Sequence, residues 1–319
     1  MKKPTITKRI GHDNQPIEGF IVETAQGSTR FNGSWYRGEH TNFIPSKGDL
    51  KQGNAVYDYF LKGLVPEQGY IRKETPITAF GSCFAENISN YLHAKEYNIL
   101  GKNLDLGAHI IRFGEGIVNS FAILQQLEWA LADKAMPEDL WFSKDKEVAT
   151  ASNEIKELTK EILLKTEVFI FTLGLSEVWF DNNSGEALWR AVPLHLFDPK
   201  RHVFRQTTVS ENASNIKRII ELIQEKRPEA KIIFTLSPIP LMATFRPIPC
   251  LIANSVSKGT LRCALDEVLR NANYPNVFYF PSYELVLSNG SNPYQDDNRH
   301  VKPGIIQGVM RIFERYFCV

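Results

Sequence analysis

Cysteine is scarce and scattered. The 319 residues hold four, at positions 83, 250, 263 and 318, far apart and without a Cys-x-x-Cys pair, so neither a disulfide framework nor a zinc site is indicated. Net charge is almost absent: 37 lysines and arginines stand against 36 acidic residues, a balance of +1. That leaves no electrostatic footprint for nucleic acid or an anionic membrane surface. No apolar run approaches the roughly 18 residues that a membrane helix needs. The basic stretch Met1–Arg9 is followed by His12-Asp13-Asn14, where a signal peptide would need an apolar region. The expectation is therefore a cytoplasmic protein with reduced thiols and no membrane span. Among the seven histidines no two lie at metal-ligand spacing, which disfavours a metal-dependent enzyme built on His, Asp and Glu. No cofactor is indicated either: Gly114 and Gly116 belong to no G-x-G-x-x-G and no Walker lysine accompanies them.

What the chain does have is enough apolar residue, 43%, for a sizeable core, either one large domain or a domain with an appendage. From Ile77 onward a short apolar run is repeatedly followed by an amphipathic stretch. The runs are 77–80, 98–100, 168–173, 231–236 and 277–280. The helical stretches are about 84–95, 117–134, 153–166, 211–227, 252–272 and 303–316. Runs that are apolar throughout suit parallel strands covered on both faces. The expected fold is α/β, a doubly wound three-layer α/β/α sandwich with a mostly parallel five-stranded sheet, flavodoxin-like, whose site lies at the carboxyl ends of the strands. Segments 77–80 and 168–173 are expected as central neighbours, with 98–100 at an edge.

Residues 1–70 lack that alternation and read as an N-terminal extension packed on the main domain, 71–319. Phe31-Asn32-Gly33-Ser34-Trp35-Tyr36 and Tyr57-Asp58-Tyr59-Phe60-Leu61 are its apolar anchors. Segment 181–209 interrupts the main pattern and is expected to form a lid or substrate wall. His195 and His202 fall in it, each more simply read as a loop histidine.

The most informative stretch is Ile77-Thr78-Ala79-Phe80-Gly81-Ser82-Cys83-Phe84-Ala85-Glu86-Asn87. A buried strand breaks at glycine, and the period changes to helical at Phe84, Ile88, Tyr91 and Leu92. A side chain at such a turn meets unpaired backbone N–H groups and the positive end of the helix dipole, which favour a thiolate or an oxyanion. Cys83 and Ser82 are both candidate nucleophiles. At the far end, Asp297-Asn298-Arg299-His300 stands in a polar loop before Pro303. An Asp and a His at that spacing can hydrogen-bond, fixing the imidazole tautomer while the other nitrogen faces a nucleophile. Asp296 is the alternative orienting residue.

The five residues Gly81-Ser82-Cys83-Phe84-Ala85 resemble the signature of the GSCFA family, which is placed among the SGNH (GDSL-like) hydrolases. The resemblance covers about residues 75–319. It implies five strands with flanking helices, and it implies that Asp297-x-x-His300 is the superfamily's last block. Laid over the Gly-Asp-Ser block of that superfamily, Gly81-Ser82-Cys83 puts Cys83 in the serine's slot. The third block, Gly-x-Asn-Asp, matches Gly174, Ser176 and Glu177. Ser176 there could donate to an oxyanion, whereas a Glu177 carboxylate could not; Glu177 could instead bind a substrate hydroxyl, hold His300 or cap the next turn. The second block's glycine matches Gly114 or Gly116, with Asn119 as a side-chain donor. Ser237-Pro238-Ile239-Pro240-Leu241 and Ala253–Lys258 have phrasing typical of the family, and Ser255 is read equally well as a helix-start residue.

Together these features suggest an SGNH-type ester hydrolase or O-acyltransferase with a covalent acyl-enzyme on Cys83 or Ser82, served by His300 and Asp297. Its substrate would be an acyl ester of a small molecule or carbohydrate. The competing expectation is a non-catalytic module of the same fold that holds a carbohydrate or acyl group.

Overall fold

The computed structural model describes residues 5–10, 16–24, 27–32, 42, 44–81, 83–103, 118–137, 140–142, 152–189, 192–271, 274–288 and 292–319. Backbone contacts divide the chain into two units, Met1–Tyr59 and Phe60–Val319.

In the first unit, β1 (Thr5–Ile10), β2 (Pro16–Thr24) and β3 (Gly27–Asn32) form an antiparallel three-stranded meander in that order. Phe20, Val22 and Phe31 make a small core, with the two phenylalanine rings 5.7 Å apart. At Gly19 an added Cβ would stand 2.7 Å from the Phe31 carbonyl, so the strands close up only because that position has no side chain. This unit differs from the irregular arm expected. Its strands are short and rich in Gly, Ser, Thr and charged residues, which blurs the period-two signal. Trp35 and Tyr36 lie outside the described residues.

The second unit begins before the expected boundary at 71. The N–H groups of Tyr70 and Ile71 donate to Phe317 O and Val319 N–H donates to Ile71 O, each at 2.9 Å, which ties the start of the domain to the end of the chain. Its sheet is β4 (Ile77–Gly81), β5 (Val168–Leu173), β8 (Lys231–Leu236) and β9 (Val277–Phe280), all parallel and adjacent in that order. All six residues of β5 are buried, as its continuous apolar run requires. Register aligns Phe80, Phe171, Phe234 and Tyr279 in one row across the four strands. Ring centroids are 4.9 Å apart for Phe80–Phe171 and 5.4 Å for Phe171–Phe234. This stacked row is the centre of the core.

The expected fifth strand, 98–100, is reduced to a single parallel bridge between Ile99 and Ile77. It stands at the expected edge, but at Leu100 the chain turns into a short helix, so only one residue can pair. Counting that bridge, the order is 2-1-3-4-5, the doubly wound order whose topological switch point lies between the first and third strands. Here that point is the carboxyl ends of β4 and β5.

Among the described residues the helices are α1 (Cys83–His93), α2 (Leu100–Asn103), α3 (Ser120–Leu131), α4 (Asn153–Lys165), α5 (Val209–Lys226), α6 (Cys250–Asn271), α7 (Ser282–Leu287) and α8 (Pro303–Phe317). Their starts follow the local chemistry. Ser152 caps α4, Thr208 and Glu211 form a capping box on α5, and Pro303 opens α8. Between β5 and α5 the chain forms a hairpin, β6 (Glu177–Asp181) and β7 (His202–Gln206). The hairpin starts four residues before the expected insertion. Trp179 packs its ring against Phe197, Phe204 and Phe245, with centroids 5.0 to 5.8 Å away. Among the described residues no helix is long and apolar enough to cross a membrane.

Candidate active site

At the carboxyl end of β4 the backbone takes a conformation open only to glycine. Gly81 has φ of +130°, and a Cβ there would fall 2.2 Å from Thr172 O, the residue beside it in register on β5. The strand ends and α1 starts at Cys83, so the expected strand-turn-helix is present. Phe84, Ala85, Ile88 and Leu92 are buried and seat the helix. Ser82 lies outside the described residues, and of Cys83 only the backbone is described.

One strand over, β5 ends at Leu173 and Gly174 follows. Gly174 N–H donates to Val118 O at 2.6 Å, and an added Cβ would meet Val118 Cβ at 3.1 Å. This contact places Asn119 beside the switch point. Asn119 is buried; its Oδ1 accepts from Ala122 N–H at 2.8 Å as the N-cap of α3, and its Nδ2 has no hydrogen bond among the described residues. Gly114 and Gly116 lie outside them.

Ser176 and Glu177 face different employment. Ser176 is wholly buried; its hydroxyl accepts from Gln206 Nε2 at 2.6 Å and donates to Ser257 O at 3.2 Å, while its N–H donates to Ser257 Oγ. Glu177, also buried, accepts from Thr244 Oγ1 at 2.7 Å and pairs with Arg246 Nη1 at 3.1 Å. The serine joins the hairpin to α6, and the glutamate fastens the segment after β8 to β6.

The loop 292–302 is closed on itself. Tyr294 and Val301 form an antiparallel bridge, Gln295 N–H donates to His300 O at 2.8 Å, and Asn298 takes the left-handed conformation at φ 53°. Asn is among the few residues that accept this conformation readily. Tyr294 hydroxyl donates to Pro238 O at 2.9 Å, just beyond the end of β8, so the loop stands at the carboxyl end of the sheet. Inside it, Asp297 Oδ1 accepts from the N–H groups of Arg299 (3.0 Å) and His300 (2.9 Å), and Oδ2 is hydrogen-bonded to His300 Nδ1. The His300 hydrogen bond, with the two backbone N–H groups, holds the Asp297 carboxyl down at about 2. With Nδ1–H directed at the carboxylate, Nε2 is the ring's acceptor. Both side chains are about half exposed. Asp296, also exposed, is not the partner.

His195 is exposed in a short 3-10 turn. His202 is buried and accepts from Asp198 N–H at 3.0 Å through Nδ1, a local turn contact. Among the described residues no group of three His, Cys, Asp or Glu side chains is placed to hold a metal ion.

Sequence reasoning placed Lys258 in a family phrase but gave it no chemistry. It is only 2 % exposed, on the buried face of α6 with Ala253, Ser257, Leu261, Ala264 and Leu265, and its Nζ donates to Gly174 O at 2.7 Å. The available signal was its place in that stripe: a lysine at helical spacing among small and apolar residues is headed inward.

A parallel α/β sheet with a glycine-broken strand, a second glycine turn and an Asp–His loop at one end is the frame the chain presents. The GSCFA family model matches residues 76–313, and the chain belongs to the GSCFA family. No protein of curated function matches it by sequence. Among solved structures it is similar to a mutant acetyl esterase with acetate ion: 9% identity, TM-score 0.38, covering 74% of this chain and 93% of that one. It is likewise similar to a carbohydrate esterase family 3 protein from Talaromyces cellulolyticus, at 9% identity and TM-score 0.38, covering 75% and 94%. A third is the lipase Lip_vut3 from a goat rumen metagenome, at 13% and 0.37, covering 76% and 98%. Likenesses this distant carry no argument about activity.

Proposed function

We propose that the protein is an SGNH-type ester hydrolase or O-acyltransferase acting on an acyl ester of a small molecule or carbohydrate. The observation that carries the reading is the Asp297–His300 pair at the carboxyl end of the sheet, bonded through Nδ1 so that Nε2 is the ring's acceptor nitrogen, which in the structure faces Arg299 Nη1 at 3.3 Å. The Gly81 turn stands at the same end.

Cys83 is the first candidate nucleophile and Ser82 the second. Its proton passes to His300 Nε2 as the sulfur (or oxygen) bonds to the ester carbonyl carbon. The resulting oxyanion takes hydrogen bonds from the backbone N–H at 83, from Gly114 or Gly116, and from the Asn119 amide. Collapse breaks the bond to the alcohol oxygen, which leaves with the proton from His300. Water or a sugar hydroxyl then gives its proton to His300 as it bonds to the acyl carbon, the bond from that carbon to the sulfur (or oxygen) breaks, and His300 returns the proton to the nucleophile as the acyl group is carried away. Asp297 holds the ring and stabilises the imidazolium. Ser176, with its hydroxyl already committed, is better read as a structural link than as an oxyanion donor, and Glu177 likewise.

That commitment is also what favours the second reading, a binding module: its third block offers no free side-chain donor. Intact-mass measurement after incubation with activated acyl esters and thioesters, followed by peptide mapping, separates the two. A stable acyl gain on the 82–83 peptide supports the enzyme, and unmodified protein that still binds the ligand supports the module.

A further inference from the structure

Two buried hydrogen-bonded chains start from adjacent residues of α6 and end on the two neighbours of Asn119. The first runs from Lys258, whose Nζ donates to Gly174 O at 2.7 Å, through the Gly174 N–H, which donates to Val118 O at 2.6 Å. The second starts at Ser257, whose Oγ accepts from Ser176 N–H at 2.9 Å. Ser176 O accepts from Thr207 Oγ1 at 2.7 Å, Thr207 Oγ1 accepts from Asn212 Nδ2 at 2.7 Å, and Asn212 Oδ1 accepts from Ser120 Oγ at 2.8 Å. The side chains of Ser120, Ser176, Thr207, Asn212, Ser257 and Lys258 are all buried. Val118 and Ser120 are both gripped, so Asn119 between them is fixed from two sides.

Asn119 is buried as well, and its amide is oriented. Oδ1 accepts from Ala122 N–H at 2.8 Å, a bond the nitrogen could not accept, so Nδ2 is the end turned away from the start of α3. Its two N–H groups have no partner among the described residues. A buried amide nitrogen left without an acceptor is unfavourable. A buried polar network adds little stability over apolar packing, but it fixes geometry. Fixed geometry is what an oxyanion donor needs, because it acts only if it is in place before the charge develops. Ser176, with its hydroxyl committed to Gln206 and Ser257, is a link in the chain that holds another donor.

We propose that Lys258 and Asn212 are positioning residues for Asn119, holding its Nδ2 as the side-chain oxyanion donor in place of Ser176. The consequence for turnover rests on the hydrolase or acyltransferase reading; the holding of Asn119 does not. The Ala253–Lys258 phrase gains a role with it. Its Asn254 Oδ1 accepts from Leu241 N–H at 3.1 Å, so the first half of α6 braces the segments beyond both β5 and β8.

The test follows the side-chain amide of Asn119 by NMR in ²H,¹⁵N-labelled protein, its two resonances assigned by their loss in Asn119→Ala. Lys258→Met and Asn212→Leu should each shift them. Thr159→Val, which breaks a buried hydroxyl contact to Ile155 O inside α4, should not. A second arm measures hydrolysis of 4-nitrophenyl acetate. Asn119→Ala should lower kcat by about a hundredfold, the scale of one lost oxyanion donor. Lys258→Met and Asn212→Leu should each lower kcat by about tenfold with KM little changed, and should have no further effect when added to Asn119→Ala. Should either variant not fold, Ser120→Ala, which removes a single hydroxyl from the second chain, decides in its place. Asn119 resonances unmoved in the folded variants overturn the proposal, as do losses in kcat that persist in full on the Asn119→Ala background. Shifted Asn119 resonances in a protein that turns over no activated ester overturn the enzyme reading and leave the holding of Asn119 standing.

Discussion

Asp297 divides its carboxylate between two tasks, one oxygen accepting from the backbone N–H groups of Arg299 and His300 and the other bonded to the ring Nδ1 of His300. The carboxylate therefore shapes the loop and orients the imidazole at once. Since the folded-state value is depressed from 3.8 to about 2, its stabilisation is complete above about 4 and is lost as pH falls through about 2. The amide resonances of Arg299 and His300 should titrate together with a midpoint near 2. A midpoint at the ordinary carboxylate value would show that the bonds are not formed.

Gly81→Ala tests the turn that starts α1. With φ at +130° and a Cβ required to stand 2.2 Å from Thr172 O, alanine forces the strands apart at the switch point. Urea unfolding should show a loss of about 3 kcal/mol or more. A loss within a few tenths of a kcal/mol would mean that the glycine is dispensable.

Lys258 gives a stability signature of known sign. Its folded-state value, about 7, lies below the unfolded 10.5, so the unfolded chain holds more protons between those values and stability rises with pH across that window. The burial penalty is fully present below about 7. Unfolding free energies at about pH 7 and about pH 9 should show wild type gaining on the order of 2 kcal/mol relative to Lys258→Met. Parallel pH profiles would contradict the buried, unbalanced ammonium.

Much of this architecture was legible in the chain. The runs at 77, 168, 231 and 277 are apolar throughout because both faces of their sheet are covered, and Gly81 and Asp297-x-x-His300 carry their chemistry in adjacent residues. What could not be read depends on distant partners. Ser176 stands where the family resemblance puts a side-chain oxyanion donor, with Glu177 next to it, yet Ser257, Gln206, Thr244 and Arg246, 30 to 81 residues away, claim them. The edge segment at 98–100 reads as a strand but starts a helix after one pairing residue. The meander of residues 5–32 hides behind polar strands.

Glu177 and Arg246 offer a check on that assignment. Arg246→Met leaves a buried carboxylate without its cation, and thermal or urea unfolding should show a loss of about 3 kcal/mol or more. The double variant Glu177→Met/Arg246→Met should recover much of it. Arg246→Met with unchanged stability but abolished ester turnover would return Glu177 to the site.

The central claim, that His300 activates a nucleophile at the Gly81 turn, is tested most directly by the rate of Cys83 alkylation with iodoacetamide as a function of pH, in wild type and His300→Ala. An imidazolium beside the sulfur favours the thiolate, so wild type should alkylate rapidly well below the ordinary cysteine value of about 8.5, and His300→Ala only as that value is approached. Superimposable profiles for the two proteins would contradict the account.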